Sequence, residues 1–288
     1  MKQVQFIAEI SSNHGNDLAR CLAFIDTAAA IGCDAVKFQL FRIDKLFAPE
    51  ILEKSPEHRA RRQWELDPAL IPPIAERCRE RNIAFSCTPF DLEAVEILRP
   101  HVAFYKISSY ELPWDGLLAA VAETGKPVIL STGMANMSEI GHAVTVLRRH
   151  GCAAPTLLHC HSAYPTRPED CNLAAIATLR QLFACETGWS DHSVNEGVIY
   201  RAVFRWQAAV IEFHLDLEGK GAEFAAGHCW LPDDIGRVIA GVRDGFIADG
   251  DGRKTATATE EPERLWRADP TDGLRPFRRI RKDWTPGR

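Results

Sequence analysis

Residues 127–149 read PVILSTGMANMSEIGHAVTVLRR, and this stretch decides the fold. Its first part, 127–133, opens on an unbroken apolar run before turning to Ser131, Thr132 and Gly133. A strand with one wet face alternates apolar and polar residues, whereas continuous apolarity marks a strand covered on both faces, as in a parallel sheet. From Ser138 to Arg149 the period changes. Ile140, Ala143, Val144 and Leu147 recur at helical spacing, so this part reads as an amphipathic helix.

The same unit recurs in both directions. Further strand-like runs lie at 4–10 (VQFIAEI), 35–41 (AVKFQLF), 83–90, 103–109 (AFYKISS), 156–162, 187–193 (TGWSDHS) and 209–215 (AVIEFHL). Helical patterns fill the intervals at 18–31, 71–81, 92–98, 117–123, 173–183, 196–205 and 233–247. Eight strands alternating with eight helices predict an α/β fold, a (β/α)8 TIM barrel in a single domain. A doubly wound open sheet is the alternative. It is disfavoured because the first strand runs into AEISSNHGN and not into a Gly-x-Gly-x-x-Gly turn. Two regions fall outside the repeat. Phe41–Pro68 reads as a long charged loop with a short helix, placed as a lid over a site. The reading therefore assigns 1–250 to the barrel and 251–288 to a basic tail. That tail carries Trp266, Phe277 and Trp284, aromatics expected to pack on a partner subunit in a homodimer.

The composition excludes several function classes. The chain has 288 residues and a formal net charge of −5, which gives no electrostatic reason for nucleic acid or an anionic membrane as partner. Glu9 comes too early for a secretory apolar segment and no run reaches spanning length, so the expectation is a cytoplasmic protein with no membrane association. The nine cysteines are odd in number and contain no Cys-x-x-Cys, so they read as buried free thiols.

In a barrel the C-terminal strand ends converge on one mouth, so the polar residues there are the candidate site. They include Glu9, Lys37, Gln39, Thr88, Lys106, Ser108, Ser109, Glu111, Ser131, His161, Ser162, Tyr164, Ser190, His192, His214 and Asp216. Lys37 and Lys106 lie inside apolar strands, where an unpaired ammonium is costly, so a bound anion is expected. Hydroxyls and the backbone near Gly133 suit phosphate or carboxylate oxygens. His192 and His214 end consecutive strands and can share one divalent ion, with coordination positions left for substrate. Asp191 is expected either to orient a ligand or to cap the next helix.

Six ordered segments, FIAEISSNHGNDL…GCDAVKFQLF, YKISSYEL, TGKPVILSTGM, LLHCHSAYPT, GWSDHS and VIEFHL, together resemble the sialic acid (N-acetylneuraminate) synthase family between about residues 5 and 245. The resemblance implies a (β/α)8 barrel that condenses phosphoenolpyruvate with an N-acylated aldose, using a divalent metal, Mn or Mg. It implies that Lys37, Thr88, Lys106, Ser109, Ser131, Ser162 and Ser190 hold phosphoenolpyruvate and that His192 and His214 hold the metal. Gln39, Glu111 and Tyr164 would face the sugar, with Glu9 handling a proton beside the two lysines.

Departures lie on the sugar side. The stretch resembling the family has no counterpart of its C-terminal antifreeze-like domain, and Gly221-Ala222-Glu223 stands where Gly-Pro-Asp is common, so Glu223 is the expected sugar ligand. Arg264, Arg267 or Arg275 of the tail is expected to replace that domain's arginine. Two other readings remain open: a Schiff-base pyruvate aldolase using Lys106, and a non-catalytic sugar-binding homologue.

Overall fold

The computed structural model describes residues 4–285 and divides into a unit ending at Asp244 and a second beginning at Gly245. In chain order the first unit contains β1 (Gln5–Glu9), α1 (Leu18–Ala30), β2 (Ala35–Leu40), α2 (Ile43–Leu46), α3 (Pro49–Lys54), α4 (Pro56–Ala60), α5 (Ile71–Glu80), β3 (Ala84–Pro89) and α6 (Leu92–Leu98). It continues through β4 (Phe104–Ile107), α7 (Asp115–Glu123), β5 (Val128–Ser131), α8 (Met137–Arg149), β6 (Thr156–Cys160), α9 (Ala175–Phe183), β7 (Thr187–Asp191) and α10 (Glu196–Tyr200). It closes with β8 (Val210–Leu215), α11 (Ala222–Ala225), β9 (Cys229–Trp230) and α12 (Pro232–Ala248), the last crossing the boundary.

All strand pairings are parallel, and β1 pairs with both β2 and β8, which shuts the barrel. Local sequence fixes several of the entries into helix. Asp17, Asp91 and Asn195 cap α1, α6 and α10, and Asn136 with Glu139 forms a reciprocal capping box on α8. Ile7, Ala35, Ile129, Leu158 and Val210, with Ala84 and Phe104 against them, build an apolar layer across the barrel. Each fully buried branched side chain there contributes about 1.5–3 kcal/mol.

Three details differ from the sequence reading. The 41–68 insertion is mostly helical: Pro49 and Pro56 sit at helix starts, where proline's missing N–H costs nothing, and Ser55 caps α4. The helix expected over 196–205 is α10 followed by a π-helical turn, Arg201–Arg205. A two-residue strand, β9, adds to β8 and was too short to show a period.

The second unit has internal order where a tail was expected. It contains α13 (Glu261–Arg264) and α14 (Arg278–Arg281). Asp269 accepts hydrogen bonds from the Arg278 and Thr271 amides, and Asp272 pairs with Arg281. Arg267 and Arg279 lie over the Phe277 ring. All nine cysteines are free and buried, and among the described residues no helix is long and apolar enough to cross a membrane.

Candidate active site

Side chains two residues apart on a strand share a face. Two steps along each strand from the apolar layer, the inward positions turn polar. Ile7 leads to Glu9, Ala35 to Lys37, Phe104 to Lys106, Ile129 to Ser131, and Val210 to Glu212 and then His214. The register aligns Glu9 with Lys37 on one side and with His214 on the other. Parallel strands thus lift one polar floor above one apolar plug.

The floor is a buried charge cluster. Lys37 touches Glu9, donates to Thr88 Oγ1 at 3.3 Å, and lies 3.8 Å from Glu212. Lys106 also lies 3.8 Å from Glu212 and donates to the Ile107 carbonyl at 3.0 Å. Glu212 accepts from Ser190 Oγ at 3.0 Å. Glu9 accepts from the Ser11 amide at 2.6 Å and from Gln39 Nε2 at 3.3 Å. Burial pushes the Lys37 ammonium down to about 8, with Glu212 opposing and Lys106 adding to the fall. Burial raises the Glu212 carboxyl, but Lys106, Lys37 and Ser190 together bring it below its ordinary value. The expectation that a bound anion must neutralise these lysines is corrected here, because Glu9 and Glu212 already do so. Glu212 was missed because it lies mid-strand, yet it sits two residues before His214 on the same face.

Beside this cluster lies a nook shaped by a glycine. The Gly133 amide donates to Ser109 Oγ at 2.9 Å, and Ser109 Oγ is 3.3 Å from Cys160 Sγ. A β-carbon on Gly133 would come within 2.3 Å of Ser162 Oγ and 3.0 Å of Ser109 Oγ. Ser109, Ser162 and Cys160 therefore converge where only glycine leaves room. Such a concavity, with hydroxyls, a main-chain N–H and the Lys106 charge acting on Cys160, suits a phosphate.

The imidazoles meet on the next level. The His192 and His214 ring centroids are 5.4 Å apart. His192 Nδ1 lies 2.8 Å from the His161 carbonyl, and His214 Nδ1 lies 2.8 Å from Glu223 Oε2. Both acceptors assign the proton to Nδ1, which leaves each Nε2 lone pair free. Burial, with His214 nearby, lowers the His192 pKa to about 3 and keeps it neutral. The donor set fits a divalent cation: two imidazoles, each held at Nδ1 by a second group. Tyr164 stacks on His192 with centroids 4.1 Å apart.

A cavity of about 730 Å³ opens over this level. Gln39, Glu111, Tyr164, His214 and Glu223 line it, as do Phe41, Phe47, Trp64 and Phe90. Glu111 accepts a hydrogen bond from Ser108, and burial raises its pKa. Two expectations change. Glu223 is not a sugar ligand alone, since it accepts from Ser12 Oγ at 2.8 Å as well as from His214, beside His228 and Cys229, which sequence reasoning passed over. Asp191 neither caps a helix nor meets a histidine; it accepts from Trp189 and Trp230 Nε1 at 3.0 and 2.9 Å and braces the strand ends. Of the arginines expected at the sugar, Arg264 pairs with Glu261 and Arg267 lies over Phe277, both within the second unit.

A glycine-shaped nook, two buried lysines and an imidazole pair meet in one barrel mouth, and the closed eight-stranded parallel sheet defines the class: a (β/α)8 barrel protein. The chain matches the NeuB family model over residues 24–254 and belongs to that family. It is 34% identical over 276 residues to the N,N'-diacetyllegionaminic acid synthase of Campylobacter jejuni, covering 91% of this chain and 82% of that protein. A Methanocaldococcus jannaschii protein of unassigned activity is 40% identical over 214 residues, 74% of this chain, which spans only 62% of that relative's length. Among solved structures, the N-acetylneuraminic acid synthetase of Leptospira borgpetersenii superposes with a TM-score of 0.78 at 31% identity, covering 91% of this chain and 90% of that one.

Proposed function

We propose that this chain joins phosphoenolpyruvate to an N-acylated aldose, giving a nonulosonic 2-keto-3-deoxy acid and phosphate. The observation that carries the reading is the adjacency of the Gly133 nook and the Lys37–Lys106 floor to the cavity lined by Tyr164 and His214. Relatives named as N-acetylneuraminic, legionaminic and pseudaminic acid synthases support it.

Lys37, Lys106, Thr88, Ser109, Ser131, Ser162, Ser190 and the Gly133 amide bind the phosphate and carboxylate. They thereby fix the enol carbon against the cavity, and positioning alone is a large part of such a barrier. Gln39, Glu111 and Tyr164 orient the aldose. A divalent ion, Mn or Mg, held by His192 and His214 supplies Lewis acidity toward a carbonyl oxygen when bound. The new bond joins the phosphoenolpyruvate methylene to the sugar's carbonyl carbon. Water adds at C2, and Glu9 takes its first proton and returns it to the former carbonyl oxygen, which becomes a hydroxyl. The second proton leaves with the phosphate as C–O cleavage forms the C2 ketone, and the two lysines stabilise the phosphate's developing charge. Lys106 donates one hydrogen to the Ile107 carbonyl and lies 3.8 Å from Glu212, a charged setting that favours this role over Schiff-base nucleophile.

The test is phosphate release from phosphoenolpyruvate with a panel of N-acylated aldoses, with and without EDTA. Aldose-dependent, EDTA-sensitive release supports the reading. Release with no aldose in the panel, or borohydride trapping of pyruvate on Lys106, overturns it.

A further inference from the structure

His214, Glu223, His228 and Cys229 each offer one ligand atom, and these atoms lie within 4.8 Å of one another. Among the described residues no other group of three or more such side chains converges this way. Two of the members follow each other at the start of β9, which pairs with β8 and aligns Cys229 with His214. Glu223 Oε2 is the centre of the group, 2.8 Å from His214 Nδ1, 3.6 Å from His228 Nε2 and 3.8 Å from Cys229 Sγ. Ligands bonded at 2.0–2.3 Å in a tetrahedron stand roughly 3.3–3.8 Å apart, so two of these three spacings already match. The His228 side chain is 8% exposed and its Nδ1 has no partner, while His214, Glu223 and His228 line the large cavity and give an ion a way in.

The donor chemistry is specific. Two imidazoles, a carboxylate and a thiolate select a thiophilic ion of the zinc class over magnesium or manganese. Four protein ligands close the tetrahedron and leave no position for substrate. This group takes His214 at Nδ1, the nitrogen 2.8 Å from Glu223, whereas the ion shared with His192 would need Nε2. A neutral imidazole carries one proton, so whichever nitrogen binds metal, the other bears the hydrogen.

We propose that His214, Glu223, His228 and Cys229 form a second metal site, specific for a thiophilic divalent ion and inhibitory when filled. The His214 proton moves from Nδ1 to Nε2, the thiol proton leaves to solvent, and Glu223 enters as the carboxylate it already is. His214 Nε2 then carries an N–H where the ion shared with His192 needs a lone pair. Occupancy of the two sites is mutually exclusive through one ring. Binding stands on the four side chains alone; inhibition rests on the function proposed above.

The test starts with chelator-treated full-length protein titrated with Co²⁺. A thiolate-to-cobalt charge-transfer band in the near ultraviolet at one equivalent is expected, and it disappears in Cys229→Ser. In the phosphate-release assay supported by Mn²⁺, zinc is expected to inhibit wild type, with at least a tenfold weaker effect on Cys229→Ser. Cobalt binding without that band overturns the site, as does a band that survives Cys229→Ser, and neither touches the proposed reaction. Equal zinc inhibition of both proteins overturns the inhibitory role. A Cys229-dependent band in a protein that never releases phosphate supports the site and removes the proposed function instead. Should Cys229→Ser not fold, His228→Gln takes its place, with at least a tenfold loss of zinc affinity expected and unchanged affinity overturning the site.

Discussion

Replacing Glu212 by Gln gives the most direct test of how the mouth keeps two buried ammonium groups. Glu212 stands 3.8 Å from both Lys37 and Lys106. At an effective dielectric of about 20, a unit pair near 4 Å is worth about 4 kcal/mol, and the carboxylate's desolvation offsets several kcal/mol of the total. Breaking a buried pair by removing one partner typically costs about 3–5 kcal/mol, because the other charge is left uncompensated. In a barrel of this size 1 kcal/mol moves the melting temperature by about 2–4 °C, so Glu212→Gln should melt roughly 10 °C lower. The anion side moves oppositely. With the carboxylate gone, phosphate takes over as counter-charge, and its dissociation constant should fall at least tenfold, about 1.4 kcal/mol. Thermal shift with inorganic phosphate and with phosphoenolpyruvate measures both effects. A melting temperature within a degree of wild type, or a smaller ligand-induced rise in the variant, would refute this account of the floor.

Burial holds Lys37 at about 8, down from 10.5, so the ammonium is lost as pH rises through that value. The kcat/KM for phosphoenolpyruvate should fall tenfold per unit on an alkaline limb near 8; a limb at 10 or above contradicts this. Over the same window, about 8 to 10.5, the native chain binds fewer protons at Lys37 than the unfolded one, so this group's contribution to stability rises with pH. Gly133→Ala puts a β-carbon 2.3 Å from Ser162 Oγ. It should weaken phosphoenolpyruvate binding at least tenfold in calorimetry, and Ser162→Ala in the same chain should recover part of the loss; no recovery argues against a nook. Glu223→Gln loosens the hold on His214 Nδ1 and should lower manganese affinity 10–100-fold by calorimetry, with unchanged affinity ruling out that support.

The barrel was legible because strand and helix periods differ and alternate from Gln5 to Ala248, with the 41–68 insertion as the main departure. The two buried lysines were legible too, since Lys37 and Lys106 stand out in apolar strands. What stayed hidden was pairing across strands. Glu212 looked like an ordinary mid-strand charge until the register set it between two lysines and Ser190. Cys229 begins a two-residue strand with no period to detect, His228 directly precedes it, and their approach to His214 follows from β9 aligning on β8. Glu223 was assigned by position in a motif, which carries no information about the ring it touches.

The polar floor and its counter-charges form one device. Lys37, Lys106, Glu9 and Glu212 sum to zero formal charge, so the apo mouth holds its ammonium groups without a guest. Each lysine nevertheless faces the nook only through groups it already contacts, and an entering phosphate must compete with two carboxylates for them. That competition lowers affinity for any single anion, inorganic phosphate included, which favours release of a phosphate product after C–O cleavage. A floor of lysines with no acidic partners would bind the product more tightly than the reaction can tolerate. In the proposed reaction the two carboxylates would serve turnover as well as folding, and the stability lost in Glu212→Gln should come with slower phosphate release under single-turnover conditions, not with a failure to bind.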